Sequence, residues 1–127
     1  MKIEHAAFPA LDPVAVANWY VEHLGLRIVR SISAPTYTHF LADEDGSMIE
    51  IYNNPIVEVP DYASMHPLLL HVAFEVDDIH ATRQRLLEAG CTAFDEITET
   101  PAGDTLAMMR DPWGFAIQLA KRSKAML

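Results

Sequence analysis

The sequence predicts an α+β fold built from two tandem βαβββ modules within 127 residues. Three observations carry that prediction: an internal repeat, a pair of matching helix starts and a pair of matching turns. His5 and His71 lie 66 residues apart, in the similar segments Ile3-Glu4-His5-Ala6-Ala7-Phe8 and Leu69-Leu70-His71-Val72-Ala73-Phe74. Asp12 and Asp78 are again 66 apart, Gly25 and Gly90 are 65 apart, and Gly46 and Gly114 are 68 apart, as are Glu50 and Gln118. Five matches in order at a nearly constant offset indicate a duplication with short insertions in the loops.

In the first module, alternation predicts a strand over residues 2–8. Asp12-Pro13 then sets a helix start, with a capping carboxylate followed by proline at the first helical position. That helix runs to about residue 24, where Gly25 supplies a left-handed stop. Val16 and Tyr20, four residues apart, face the core. Residues 26–33, 36–42 and 48–53 are rich in β-branched and aromatic side chains and read as strands, the last two joined by the turn Asp43-Glu44-Asp45-Gly46. The second module repeats the order. Strands are expected at about 69–76, 92–98, 105–110 and 115–120, and a helix at about 79–89 with Ile79 and Leu86 inward. Asp111-Pro112-Trp113-Gly114 is the matching turn. Pro55, Pro60 and Pro67 make residues 54–67 an extended linker. The chain is thus one domain, with module one at about 1–53 and module two at about 68–122.

Half of the residues are hydrophobic, enough to bury a core without disulfides. Nine Lys+Arg against 18 Asp+Glu give a net charge of −9, which excludes a nucleic-acid partner because a row of phosphates would go unneutralised. No apolar run reaches the ~20 residues of a membrane span, so no membrane partner is expected. The N-terminus lacks the apolar stretch of a signal peptide, and the expected location is cytoplasmic. Cys91, the one cysteine, excludes an internal disulfide and a thiolate-rich zinc site.

The repeat gives four polar residues equivalent places. His5 and His71 fall in the first strand of each module, Glu50 and Gln118 in the fourth. Strand alternation sets each on the face opposite to Ile49 and Ile51, Val72 and Phe74, or Ile117 and Leu119, whose side chains suit packing against helices. Pseudo-twofold pairing of the modules would bring the four together. Two imidazoles, a carboxylate and an amide oxygen suit one divalent ion of Zn, Ni, Fe, Mn or Co.

On these residues the chain resembles the vicinal oxygen chelate superfamily, the glyoxalase/bleomycin resistance protein/dioxygenase family. The resemblance rests on Ile-Glu-His5-Ala-Ala-Phe, Asp-Gly-Ser-Met-Ile-Glu50-Ile, Leu-His71-Val-Ala-Phe-Glu-Val-Asp-Asp and Arg-Asp-Pro-Trp-Gly-Phe-Ala-Ile-Gln118-Leu, and covers about residues 3–121. It implies a single glyoxalase-like domain whose modules form a curved, partly closed mixed sheet with helices outside. It further implies metal ligands at His5, Glu50, His71 and Gln118, and a homodimer. The expected function is that of a divalent-metal-dependent enzyme of the glyoxalase/dioxygenase type, with lyase, isomerase or dioxygenase chemistry on a small substrate chelated through neighbouring oxygens. The alternative is a small-molecule or antibiotic-binding resistance-type protein without catalysis. The family often has Glu where this chain has Gln118. Glu50 is the only anion of the four and the candidate proton carrier.

Other residues read more plainly. His23 and His80 sit on helices and face solvent, His66 is a weaker candidate ligand, and His39 is a candidate for lining the cavity. Tyr52 shares the face of Glu50 and is a candidate substrate contact. Trp113 is a turn residue capping a sheet edge. Cys91 is a small core residue, because no base is patterned around it. The Asp43–Asp45 run is a solvated turn.

Overall fold

A computed structural model describes residues 1–127 as two compact units, residues 1–60 and 61–127. The first contains β1 (Ala6–Pro9), α1 (Pro13–Leu24), β2 (Arg27–Ser31), β3 (His39–Ala42) and β4 (Met48–Tyr52). The second contains a 3₁₀ turn (Tyr62–Ser64), β5 (Val72–Glu75), α2 (Ile79–Glu88), β6 (Thr92–Ala93), β7 (Thr98–Glu99), β8 (Thr105–Arg110) and β9 (Ala116–Lys121). Each unit is a mixed sheet with one helix. The first sheet has the order β1-β4-β3-β2, the second β5-β9-β8-β6 with β7 also on β8. Neither sheet closes into a barrel, and no helix is long and apolar enough to cross a membrane.

The duplication is visible bond by bond. Asp12 caps α1 by accepting the Ala15 N–H at 3.0 Å, and Asp78 caps α2 by accepting the Ala81 N–H at 3.0 Å. Gly25 ends α1 at φ 73°, a conformation that costs a side-chain-bearing residue energy. Asp43 accepts the Ser47 N–H at 2.8 Å in the first hairpin turn. Asp111, buried in the second, accepts the Trp113 and Phe115 N–H groups at 2.9 Å each. In both sheets the first strand runs parallel to the last, with Ala7 opposite Glu50 and Ala73 opposite Gln118.

One face of each sheet is covered by its own helix. Val16, Tyr20, Leu41 and Ile51 are buried in the first unit; Ile79, Leu86, Met109, Ile117 and Leu119 are buried in the second. Burying such side chains contributes roughly 1.5–3 kcal/mol each before the entropy of ordering is counted. The expected helix-facing residues Val16, Tyr20, Ile79 and Leu86 are therefore core residues.

Several boundaries differ from the sequence reading. The first strand begins at Ala6 rather than at residue 2, because β4 offers its first partner, Ile49, only to Ala6. Likewise β5 begins at Val72, opposite Ile117, and Leu68 and Leu69 stay exposed ahead of it. The strand expected at 92–98 is two short pieces, because the Asp95 side chain takes the Met108 N–H at 2.7 Å and interrupts the ladder between them. The strand expected at 36–42 starts at His39, after a turn in which Tyr37 has φ 47°. Residues 54–67 are not uniformly extended: Tyr62 opens the 3₁₀ turn and is buried, its ring meeting that of Phe115 in a T-shaped pair with centres 4.9 Å apart.

Candidate metal centre

In the first unit, register places Glu50 on one face of the sheet with Ala7 beside it on β1 and Phe40 beside it on β3. His5, two residues before Ala7, reaches the same place. Its Nε2 is 3.2 Å from Oε2 of Glu50. Ligands held at about 2.0–2.2 Å from a small divalent cation lie about this far from one another, so the pair has the spacing of two neighbouring ligands. His5 Nδ1–H donates to the Glu4 carboxylate, and its ring meets Phe40 edge-on at 5.3 Å. The hydrogen bond to Glu4 is the largest influence raising the His5 pKa; burial opposes it, and the charges of Glu4 and Glu50 reinforce it.

In the second unit, Gln118 sits on β9 between Ala73 of β5 and Met108 of β8. His71 lies two residues before Ala73, as His5 lies two before Ala7. Its Nδ1–H donates to the Pro67 carbonyl at 3.0 Å. That bond fixes the tautomer and leaves Nε2 with a free lone pair, the arrangement found in metal-ligating histidines. The Pro67 carbonyl is itself held in place. Arg110 donates to the carbonyls of Tyr62 at 2.8 Å, Met65 at 2.6 Å and Gly114 at 3.0 Å, which ties the segment before Pro67 to β8.

The donor types fit a borderline divalent cation: an imidazole and a carboxylate in one unit, an imidazole and an amide in the other. No three His, Cys, Asp or Glu side chains gather within either unit closely enough to share a cation. Each unit thus presents half of the expected ligand set.

The remaining sequence candidates divide. His39 does not line this face. It pairs with Ile51 and is buried on the helix side, its Nδ1–H bonded to the Tyr37 carbonyl at 2.6 Å. The hairpin register decides this: a turn centred on residues 43–47 puts Phe40, not His39, opposite Glu50. Tyr52 is half-buried on the Glu50 face. His80 is exposed, whereas His23 is half-buried, its ring tilted against that of Trp19 with centres 5.0 Å apart. His66 lies apart from Gln118, exposed, with its ring 5.5 Å from Phe94. Trp113 is 39% exposed in its turn. Cys91 is buried, and burial pushes its thiol up to about 12, as suits an inert core residue.

Sequence reasoning did not single out Glu4, Phe40 or Pro67. The Phe40–Glu50 pairing was available from the turn position. Glu4 was not, because alternation sends it to the face away from His5. It meets His5 because residues 1–5 precede the ladder and are free of the strand's alternation.

Comparison with known proteins agrees with this architecture. The glyoxalase/bleomycin resistance protein/dioxygenase superfamily model matches residues 2–119. A lactoylglutathione lyase from Haemophilus influenzae is 30% identical over 125 residues, covering 93% of this chain and 90% of that protein. Among solved structures, a glyoxalase family protein from Bacillus cereus matches with a TM-score of 0.80 at 19% identity, over 95% of this chain and 93% of that one. The antibiotic binding protein TnmS3 from Streptomyces sp. CB03234 matches with a TM-score of 0.74 at 22% identity, over 97% of each chain. Two helix-backed mixed sheets in tandem, each with its first strand parallel to its last, and a sequence match over nearly the whole length lead to one conclusion: the chain belongs to the glyoxalase/bleomycin resistance protein/dioxygenase superfamily.

Proposed function

We propose that the protein is a divalent-metal-dependent enzyme of the glyoxalase/dioxygenase type, with lyase, isomerase or dioxygenase chemistry on a small substrate bearing two neighbouring oxygens. The observation that carries this reading is the equivalence of the two half-sets. Each unit offers a histidine two residues before the alanine that pairs with Glu50 or Gln118. A fold-only duplication would not need to keep an imidazole at both of these positions.

His5, Glu50, His71 and Gln118 are the residues that would hold the metal. Pairing of modules, within one chain or between the two chains of a homodimer, would bring the halves together. The metal would be one divalent ion of Zn, Ni, Fe, Mn or Co, and it would supply Lewis acidity to the substrate's oxygens. Glu50 is the only anion of the set, so a proton that leaves or returns to substrate carbon rests on its carboxylate. Gln118 offers an amide oxygen that takes no proton at neutral pH. His71, locked by Pro67, and His5, held by Glu4, keep their rings aimed.

Turnover of a thiohemiacetal by metal-loaded protein tests the reading. Wild type should be slow, Gln118→Glu faster because a second carboxylate is restored, and Glu50→Gln inactive. Equal rates for wild type and Glu50→Gln would refute the role of Glu50. The second reading, a small-molecule or antibiotic-binding protein, draws on the fold shared with TnmS3 and on the net charge of −9, which suits a cationic ligand. Ligand binding that is indifferent to metal and to all four residues would favour it.

A further inference from the structure

The face that carries His5 and Glu50 continues sideways into a cavity of about 300 Å³ lined by Glu4, Val29, Arg30, Phe40 and Met48. Register explains how these residues meet. Glu50 lies opposite Phe40 across the β3–β4 pair, and Phe40 lies opposite Arg30 across the β2–β3 pair. The three side chains form a row on one sheet face, with Arg30 two strands from Glu50, or roughly 10 Å at the backbone. The irregularity between Ile28 and Arg30 matters here. Val29 is the extra residue, and it lets both Arg27 and Arg30 share the face of Ala42 and Phe40.

The cavity has two kinds of wall. Val29, Phe40 and Met48 are apolar. Its charged members are Glu4 and Arg30. Glu4 is engaged by the His5 Nδ1–H. The Arg30 guanidinium has no hydrogen bond or ion pair within the chain, although acidic residues outnumber basic ones two to one. A planar, permanently charged fork, solvent-exposed and unpaired two strands from His5 and Glu50, is suited to a carboxylate brought by the substrate.

We propose that Arg30 is a specificity-determining residue: it binds a carboxylate of the substrate at the end of the cavity away from His5 and Glu50. The inference rests on the metal-centre reading above, since the other end of the same molecule would carry the neighbouring oxygens. The substrate class is then a short molecule with an oxygen pair at one end, a carboxylate at the other and an apolar stretch of a few carbons against Phe40. Arg27 lies on the same face but does not line the cavity, and so serves as a control for general charge.

The test uses two probes of equal chain length, 2-oxopentanedioate and 2-oxopentanoate, which differ by the distal carboxylate. Binding of each to full-length, Ni²⁺-loaded protein is measured by calorimetry, together with the nickel content. The dianion is expected to bind about tenfold more tightly, near the lower end of what a hydrogen bond to a charged group supplies. Arg30→Gln should abolish that preference while leaving nickel content and 2-oxopentanoate affinity unchanged. Arg30→Lys should keep part of it, and Arg27→Gln all of it. If nickel binds but the dianion has no advantage, or Arg27→Gln removes it as fully as Arg30→Gln, the assignment of Arg30 is overturned and the metal reading stands. If no nickel binds, the metal reading fails and this inference with it.

Discussion

Replacing Arg110 with methionine should loosen the segment that aims His71. The guanidinium spans three backbone carbonyls at 2.6–3.0 Å, and two of them, Tyr62 and Met65, belong to the stretch leading to Pro67. Methionine keeps much of the volume but none of the donors. Each hydrogen bond to a charged donor is worth about 1.5–3 kcal/mol when buried, and three share one half-buried side chain, so a total loss of about 3 kcal/mol is reasonable. The contact of the guanidinium with the Phe94 ring, 5.8 Å to its centre, adds less, of order 0.5–1 kcal/mol. Urea unfolding followed by circular dichroism measures the change. A second effect follows if Pro67 positions His71: metal affinity should fall about 10–100-fold, as when other outer partners of ligating histidines are removed. A stability change below about 1 kcal/mol with unaltered metal affinity would refute both the strength assigned to the Arg110 contacts and the path from Arg110 to His71.

Four further outcomes are expected. Gly114→Ala places a Cβ 2.7 Å from that of Ala63 at a φ of +89°, and should cost more than about 2 kcal/mol in thermal or urea unfolding. Asp104 is held below its ordinary pKa, chiefly by the Ser123 backbone N–H and then by Arg122, so its stabilisation is complete above the unfolded carboxylate pKa and fades as pH falls through the lower folded value. Asp104→Asn should therefore narrow the difference in urea midpoint between neutral and acid pH; an unchanged difference would discount that pair. Cys91, with its thiol at about 12, should resist alkylation at mild alkaline pH in the folded protein and react once unfolded. Light scattering should give the mass of two chains at micromolar concentration, and a single-chain mass throughout would refute the homodimer.

What the sequence revealed follows the range of the forces involved. Helix ends depend on a few neighbouring residues, and Asp12-Pro13, Gly25 and Asp78 marked them within a residue or so. The strand at Thr105–Arg110 was legible because the apolar run Leu106–Met109 leads directly into the Asp111 turn. Strand beginnings were not, because pairing ends where the partner ends: Ile3 alternates like a strand residue yet is 91% exposed. The break at Asp95 needed a side chain to compete with backbone for Met108, which no periodicity records. At the site, the repeat was enough to put Glu50 and Gln118 at equivalent positions on β4 and β9, and His5 and His71 at equivalent positions just before β1 and β5. The details that aim them, Glu4 on His5 and Pro67 on His71, come from chain outside the ladders. Only the three-dimensional path of that chain reveals them.

Metal content decides whether the two half-sets build one centre. Full-length protein dialysed against Zn²⁺ or Ni²⁺ and then against metal-free buffer should retain one divalent ion per chain. His5→Ala and His71→Ala, one from each half-set, should each lose nearly all of it while keeping the wild-type circular dichroism spectrum. Full stoichiometry retained in either variant would contradict the account, because a centre built from both halves does not survive the loss of a histidine from one.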